Sequence, residues 1–593
     1  MFTQVETRLT VEKVHNAWHP QIVYDVHQMG AYGARIFTPP WIDPIEPNID
    51  PIIAQQCNLI GSAMAVAMTA AGKTGVAINA MYDFWTPARH YQAYHGGLRI
   101  LSESASARIA SPITVRPDQI LDSAQGYHPR TRSWNHLEPW LGGEWTLRDI
   151  VDYQLIAWEA LLYQAATHRE DMLRNFYRIG QRAVARETPY AFVFPARQSD
   201  PGAARKLLET LSFGLVEIDR SAGVFTAGGR QYPPGSYVVR MRQPYSSFAK
   251  TLLERQEYPD LRLYPGGPPK RPYDVTAHTL PLLMGVAVDA VQAPFEAPLA
   301  RATSFPFELD RKLPAGVLAG SDVYSWKQVN AIWKAGGSVW RDPGTGDFHR
   351  RGGAGRVEWK RPRIGLYKAH VPNMDEGWTR WLLEEFGFDY SSVSNRDLQA
   401  GSLRSRFDVL LFASQSAASI ASGFRKGSMP EEYTGGLGDS GAEAIRAFLG
   451  EGGTAVLLNQ ATEYAGRLGV ELRDSTSGVS SRDFYSPGSL LRATLDTGHR
   501  LAWGLPAEIA VWSQASPAWD VPAGGAVKAV ARYPASKLLA SGWLLGEKYL
   551  ADRAALVEAP VGKGRIILFG MRPQYRAQSY QGFKLLFNSL ASW

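Results

Sequence analysis

The chain has one cysteine in 593 residues, Cys57, which excludes an internal disulfide and any cysteine-based metal cluster. It has no apolar run of roughly 18 residues, the length a helix needs to cross a bilayer. The nearest stretch, NLIGSAMAVAMTAAG, is short and rich in small residues, which suits a buried helix. The opening residues, MFTQVETRLT, have neither the basic start nor the apolar core of a signal peptide, and read alone they point to the cytoplasm. Long basic runs are missing as well. The net charge of +7 comes from Arg and Lys scattered along the chain, so nucleic acid is not an expected partner. No short-period repeat is visible.

What is present is an ordinary globular composition, 45% apolar and 20% charged, on a chain too long for one core, so about two to four domains are expected. Residues 2–17 read as an amphipathic helix with Val5, Leu9 and Val14 on one side. QIVYDVHQM (21–29) reads as a buried strand, followed by a Gly- and Pro-containing loop and a helix over about 50–72. A short strand VAINA, a long aromatic loop and the strand GLRILSE, ending near 103, come next, and a long helix is expected over 146–184. Strands alternating with helices predict an α/β sheet of mainly parallel strands.

Two strand ends stand out. His27 closes IVYDVH and Glu103 closes LRILSE. The carboxyl ends of strands line the crevice of an open α/β sheet, so a metal ligand and a general base fit there, although either residue alone is more often a loop hydrogen-bonder. His27 and Glu103 are 76 residues apart, and Tyr82, in AMYDFW, lies 21 residues before Glu103. In this pattern the chain resembles the second half of a catalytic domain of the carboxypeptidase A family of zinc metallocarboxypeptidases. There a zinc-binding histidine ends one strand, a catalytic glutamate ends another about 75 residues later, and a mobile tyrosine precedes the glutamate by about 20. The resemblance implies that His27 is a zinc ligand. It implies that Glu103 is the general base that takes a proton from zinc-bound water, and that Tyr82 closes over the substrate. Tyr91 and Tyr94 lie in the same loop and are alternatives to Tyr82. Asp25 shares the strand face of His27, as a second-sphere partner or a buried satisfied carboxylate.

One departure stands against the match. The family's first two ligands come from an H-x-x-E motif about 120 residues before the third, and none of the twelve histidines here has Glu three positions later. HLEP at 136 has the wrong spacing, and HRED at 168 offers Asp171 on a helix, read as a solvated face. The resemblance therefore implies a chain that begins in mid-domain, with zinc belonging to the intact family member and the chain inactive as it stands. It further implies a peptide or amide substrate with a free carboxylate, whose binding residues stay unassigned, and a periplasmic or secreted intact form. The rival reading is a non-catalytic binding or scaffold protein built from α/β modules.

The units expected are 1–185, a carboxypeptidase-like mixed sheet flanked by helices; 186–300, a small α/β unit; 301–360, a β-rich or linker stretch; and 361–593. The last resembles doubly wound, class I glutamine amidotransferase-like domains. Enzymes of that class carry a cysteine nucleophile on a sharp turn after a strand. The turn here, LLNQATEY, holds Asn459 and Gln460, so a structural or ligand-binding role is expected. The Gly-rich stretch 429–441 reads as a surface loop.

Overall fold

The computed structural model describes residues 2–85, 89–121, 126–522 and 524–593, and shows an α/β protein with several sheets. The first sheet is mixed. It contains β1 (Ile22–Met29), β2 (Ile36–Phe37), β3 (Val76–Ala77) and β4 (Leu98–Ala105), in the order β1-β4-β2-β3. β1 and β4 run parallel with His27 opposite Glu103, while β2 runs antiparallel to β4.

Helix α1 (Pro51–Ala70) covers this sheet. Asp50 caps it by accepting a hydrogen bond from the Ile52 N–H, and Pro51 sits in the first turn, where a missing N–H costs nothing. Contrary to the reading of the sequence, α1 is long and apolar enough to cross a bilayer by length and composition; here it turns Cys57, Ile60, Gly61, Met64 and Met68 inward. The helix expected over 146–184 is two helices, α2 (Leu147–Thr167) and α3 (Arg169–Val184). They break at His168, whose backbone is not helical (φ −105°, ψ 20°).

The N-terminal helix also departs from expectation. Residues 5–18 are helical, but a π-helical turn over Val11–His15 shifts the register. The helix docks through Phe2, Val11 and Asn16, and leaves Val5, Leu9 and Val14 exposed.

The second sheet is antiparallel, formed by β5 (Ala191–Phe194), β6 (Asp219–Ser221), β7 (Tyr237–Arg240), β8 (Asp289–Val291) and β9 (Leu299–Arg301). Helices α4 (Pro201–Phe213) and α5 (Ser246–Leu253) accompany it. Residues 301–360 hold a helix, Ser325–Lys334, besides a three-stranded sheet. Trp326 of that helix is fully buried among Phe348, Trp359, Phe388 and Phe587.

The third sheet has ten strands. Its parallel half contains β10 (Ile364–Tyr367), β11 (Tyr390–Val393), β12 (Val409–Phe412) and β13 (Thr454–Leu458), joined by the later β14 (Gly564–Phe569) in the order β11-β10-β12-β13-β14. The remaining strands extend it antiparallel. Asn459 follows β13 in a left-handed turn (φ 48°), the conformation that exposes a nucleophile in hydrolases of strand–turn–helix design. Here the side chain is buried: its Oδ1 accepts from the Ser516 hydroxyl at 2.7 Å and its amide donates to Ser414 Oγ at 3.3 Å.

Candidate functional site

The ends of β1 and β4 bring His27 and Glu103 into contact, with His27 Nδ1 3.2 Å from Glu103 Oε2. Parallel pairing in register puts both side chains on one face of the sheet. The two differ in setting: the His27 side chain is 56% exposed and that of Glu103 only 5%. Desolvation raises the Glu103 pKa above the ordinary carboxylate value, and the neighbouring His27 and Tyr273 offset part of the rise. Asp25, two residues before His27, is held by the Arg99 guanidinium, with Nε at 3.0 Å from Oδ2. That ion pair occupies it, so Asp25 does not reach His27 as a partner.

Tyr82 does not stand at the mouth of this site. It is 1% exposed, its hydroxyl accepts a hydrogen bond from Arg99, and its ring lies between Trp41 (4.8 Å) and Tyr273 (4.5 Å). A side chain packed beneath another ring and bound to a guanidinium cannot serve as a closing lid. Tyr91 and Tyr94 are buried too; the Tyr91 hydroxyl donates to Asn16 Oδ1. The residue that does meet Glu103 is Tyr273, whose hydroxyl donates to Glu103 Oε1 at 3.3 Å. Its ring lies under the Arg89 guanidinium at 4.2 Å and its N–H donates to Asp83 Oδ2 at 2.8 Å.

Tyr273 also lines a cleft of about 860 Å³ beside β1. Trp41, Trp134, Tyr32 and Tyr127 supply flat apolar walls, and Lys270 and Arg271 supply positive charge. Neither cation forms an ion pair among the described residues. The Trp41 wall depends on Gly61 of α1, because a Cβ there would lie 2.3 Å from the Pro39 carbonyl oxygen. Lys270, Arg271 and Tyr273 belong to the Pro-rich segment GGPPKRPYD, which no local spacing connects to β1 and β4. Its basic pair beside a tyrosine was the one available sequence signal.

The residues do not fit the expected zinc site. His27 and Glu103 are two donors, and among the described residues no group of three or more His, Cys, Asp or Glu side chains converges to hold a metal. A catalytic zinc needs three protein ligands. His136 is buried with Nδ1 3.0 Å from the His128 carbonyl oxygen, and His168 sits at the break between α2 and α3. Cys57 is buried against β4, and burial pushes its thiol pKa up, so it is no nucleophile.

No protein-family model and no curated protein matches the chain. It is similar to solved structures over a little more than a third of its length. A GMP synthase subunit from Thermoplasma acidophilum shares 12% identity, covering 38% of this chain and 92% of that one, with a TM-score of 0.25. A ThuA-like protein from Bacteroides uniformis shares 13% identity over 39% and 89%, with a TM-score of 0.24. A β-galactosidase from Bacillus circulans shares 12% identity over 39% and 31%, with a TM-score of 0.23. None of these is a carboxypeptidase. The missing ligand cluster among the described residues corrects the resemblance drawn from the spacing of His27, Tyr82 and Glu103: the description as a zinc metallocarboxypeptidase and protease is not upheld.

Proposed function

We propose that this chain is a binding protein whose cleft takes a small anionic ligand with a flat or apolar body, a peptide or amide with a free carboxylate being the class that fits. The observation that carries the reading is the pairing of aromatic walls with two cations that form no ion pair among the described residues, Lys270 and Arg271. Planar apolar groups stack on Trp and Tyr faces, and a guanidinium matches a carboxylate with two parallel hydrogen bonds. A concave, largely apolar cavity with a few polar groups at its edge is the common form of a small-ligand site.

A blocked dipeptide with a C-terminal carboxylate, titrated calorimetrically beside its C-terminal amide, tests this. The carboxylate is expected to bind at least tenfold more tightly, as loss of a charged hydrogen bond of about 1.5–3 kcal/mol implies. Arg271→Ala is expected to abolish the difference. Equal affinities for acid and amide, or no binding of either, would sink the reading. A second reading has its own observation: Glu103, behind the cleft wall and accepting from the Tyr273 hydroxyl, would act on a ligand only through that phenol.

A further inference from the structure

Arg576 lies in the last unit, far along the chain from the cleft, yet it is one residue removed from the cleft wall. It follows β14, in a turn where Arg576 (φ 43°) and Ala577 (φ 55°) both occupy the left-handed region. Two consecutive side-chain-bearing residues there are strained and persist only where surrounding contacts hold them. The contact is specific. Arg576 Nη1 donates to Asp274 Oδ2 at 2.9 Å and Nη2 donates to Asp274 Oδ1 at 2.6 Å, a fork-to-carboxylate pair. Asp274 directly follows Tyr273. On the other side Arg89 approaches Asp274 at 3.9 Å and covers the Tyr273 ring. Burial alone would raise the Asp274 pKa, but Arg576 and Arg89 hold it below the ordinary value, so the carboxylate stays charged in its place.

We infer that Arg576 is a positioning residue for the cleft: its paired hydrogen bonds to Asp274 fix Tyr273 against Glu103 and the bound ligand, so the last unit sets the affinity of a site in the first. Without this clamp, Tyr273 keeps its backbone bond to Asp83, the Arg89 and Tyr82 contacts and its bond to Glu103, and the Pro-rich strap stays tied at its two ends, upstream by the Lys270 N–H to the Leu261 carbonyl and downstream by the Thr276 and Ala277 N–H groups to the Gly488 carbonyl. The span between those ties carries Arg271 and Tyr273, and it would lose the paired hydrogen bonds that fix its middle. The inference rests on the cleft being a binding site, but one of its readouts needs no ligand.

The test compares Arg576→Gln, Arg576→Lys and Tyr273→Ala, alone and as the Arg576→Gln/Tyr273→Ala pair, in the full chain. Carbon-detected NMR titration of Glu103 and calorimetric binding of the blocked dipeptide carboxylate are measured, with urea unfolding as a control. Arg576→Gln is expected to raise the Glu103 pKa, because the Tyr273 hydrogen bond that lowers it is loosened, and to weaken binding roughly tenfold. Arg576→Lys is expected to restore part of both. In the Tyr273→Ala background Arg576→Gln should change neither readout further. An unchanged Glu103 titration in a folded Arg576→Gln chain overturns the inference, as does an equal effect with and without Tyr273. If the unaltered chain binds no dipeptide, the binding reading falls, while the Glu103 titration still decides the clamp.

Discussion

Glu103 keeps a carboxylate where most water is excluded, and burial, His27, Tyr273 and, last, the Asp25 charge decide how readily it gives up its proton. Burial is the largest and raises its pKa; the imidazole of His27 and the phenol of Tyr273 oppose it. Removing either neighbour should therefore raise the pKa further: both His27→Ala and Tyr273→Phe are expected to move the Glu103 NMR titration to higher pH. A shift to lower pH in either variant would show that the group removed does not stabilise the carboxylate. The pair His27 and Glu103 was legible in the sequence because each closes an apolar strand and strand side chains alternate, so in-register parallel strands must place them together. Tyr273 was not, since it reaches Glu103 across 170 residues. Tyr82 was legible as a tyrosine near the site, but nothing local shows that a second ring covers it.

At the scale of elements, the helix expected over about 50–72 is α1 (Pro51–Ala70), whereas its packing was not readable. Gly61 in mid-helix looks like a weak point that alanine should improve by about 1 kcal/mol of helix propensity. The structure reverses this expectation. A Cβ at Gly61 would sit 2.3 Å from the Pro39 oxygen and 2.5 Å from the Pro39 carbonyl carbon, and backbone atoms cannot yield as a side-chain tip can. Overpacking of this kind costs about 1–3 kcal/mol, so Gly61→Ala is expected to lower the urea unfolding free energy overall. It should also weaken ligand binding, because the displaced loop carries Trp41. A more stable variant would show that the loop relaxes freely. The inward side of the N-terminal helix was misread, and α2 shows the same ambiguity. Helix α2 buries Tyr153, Gln154, Ala157 and Leu161, yet exposes Val151, Leu155, Trp158 and Leu162 at equally helical spacing. With apolar residues on both faces, periodicity identifies the helix and not its inward side.

At the scale of the whole molecule, the loop before α1 and helix α5 meet through a buried polar cluster that makes stability depend on pH. Glu46 accepts hydrogen bonds from the Asn48 N–H at 2.9 Å and from the Thr251 hydroxyl of α5 at 3.0 Å. The same hydroxyl lies 3.3 Å from His278 Nε2, and Lys250 bonds Asn48 and Glu254 beside it. Burial pushes Glu46 up to about 7, with the Glu254 charge adding to the rise and Thr251, Asn48 and Lys250 opposing it. Burial pushes His278 down to about 3. A raised carboxylate contributes stability below its ordinary value of 4.5 and loses it as pH climbs through about 7. A depressed imidazole does the reverse, losing stability as pH falls below 6.5 towards about 3. Between 4.5 and 6.5 the folded chain holds one extra proton on Glu46 and the unfolded chain one extra on His278, so their slopes cancel. Glu46→Gln removes one side of that balance. Relative to the unaltered chain, it should grow more stable as pH rises from 4.5 to 7, by a total on the order of 3 kcal/mol at about 1.4 kcal/mol per unit. Urea unfolding of both chains at several pH values measures the difference directly. A difference that stays constant across this window would mean that Glu46 is already ionised in the folded chain, and that the hydrogen bonds of Thr251 and Asn48 outweigh its burial.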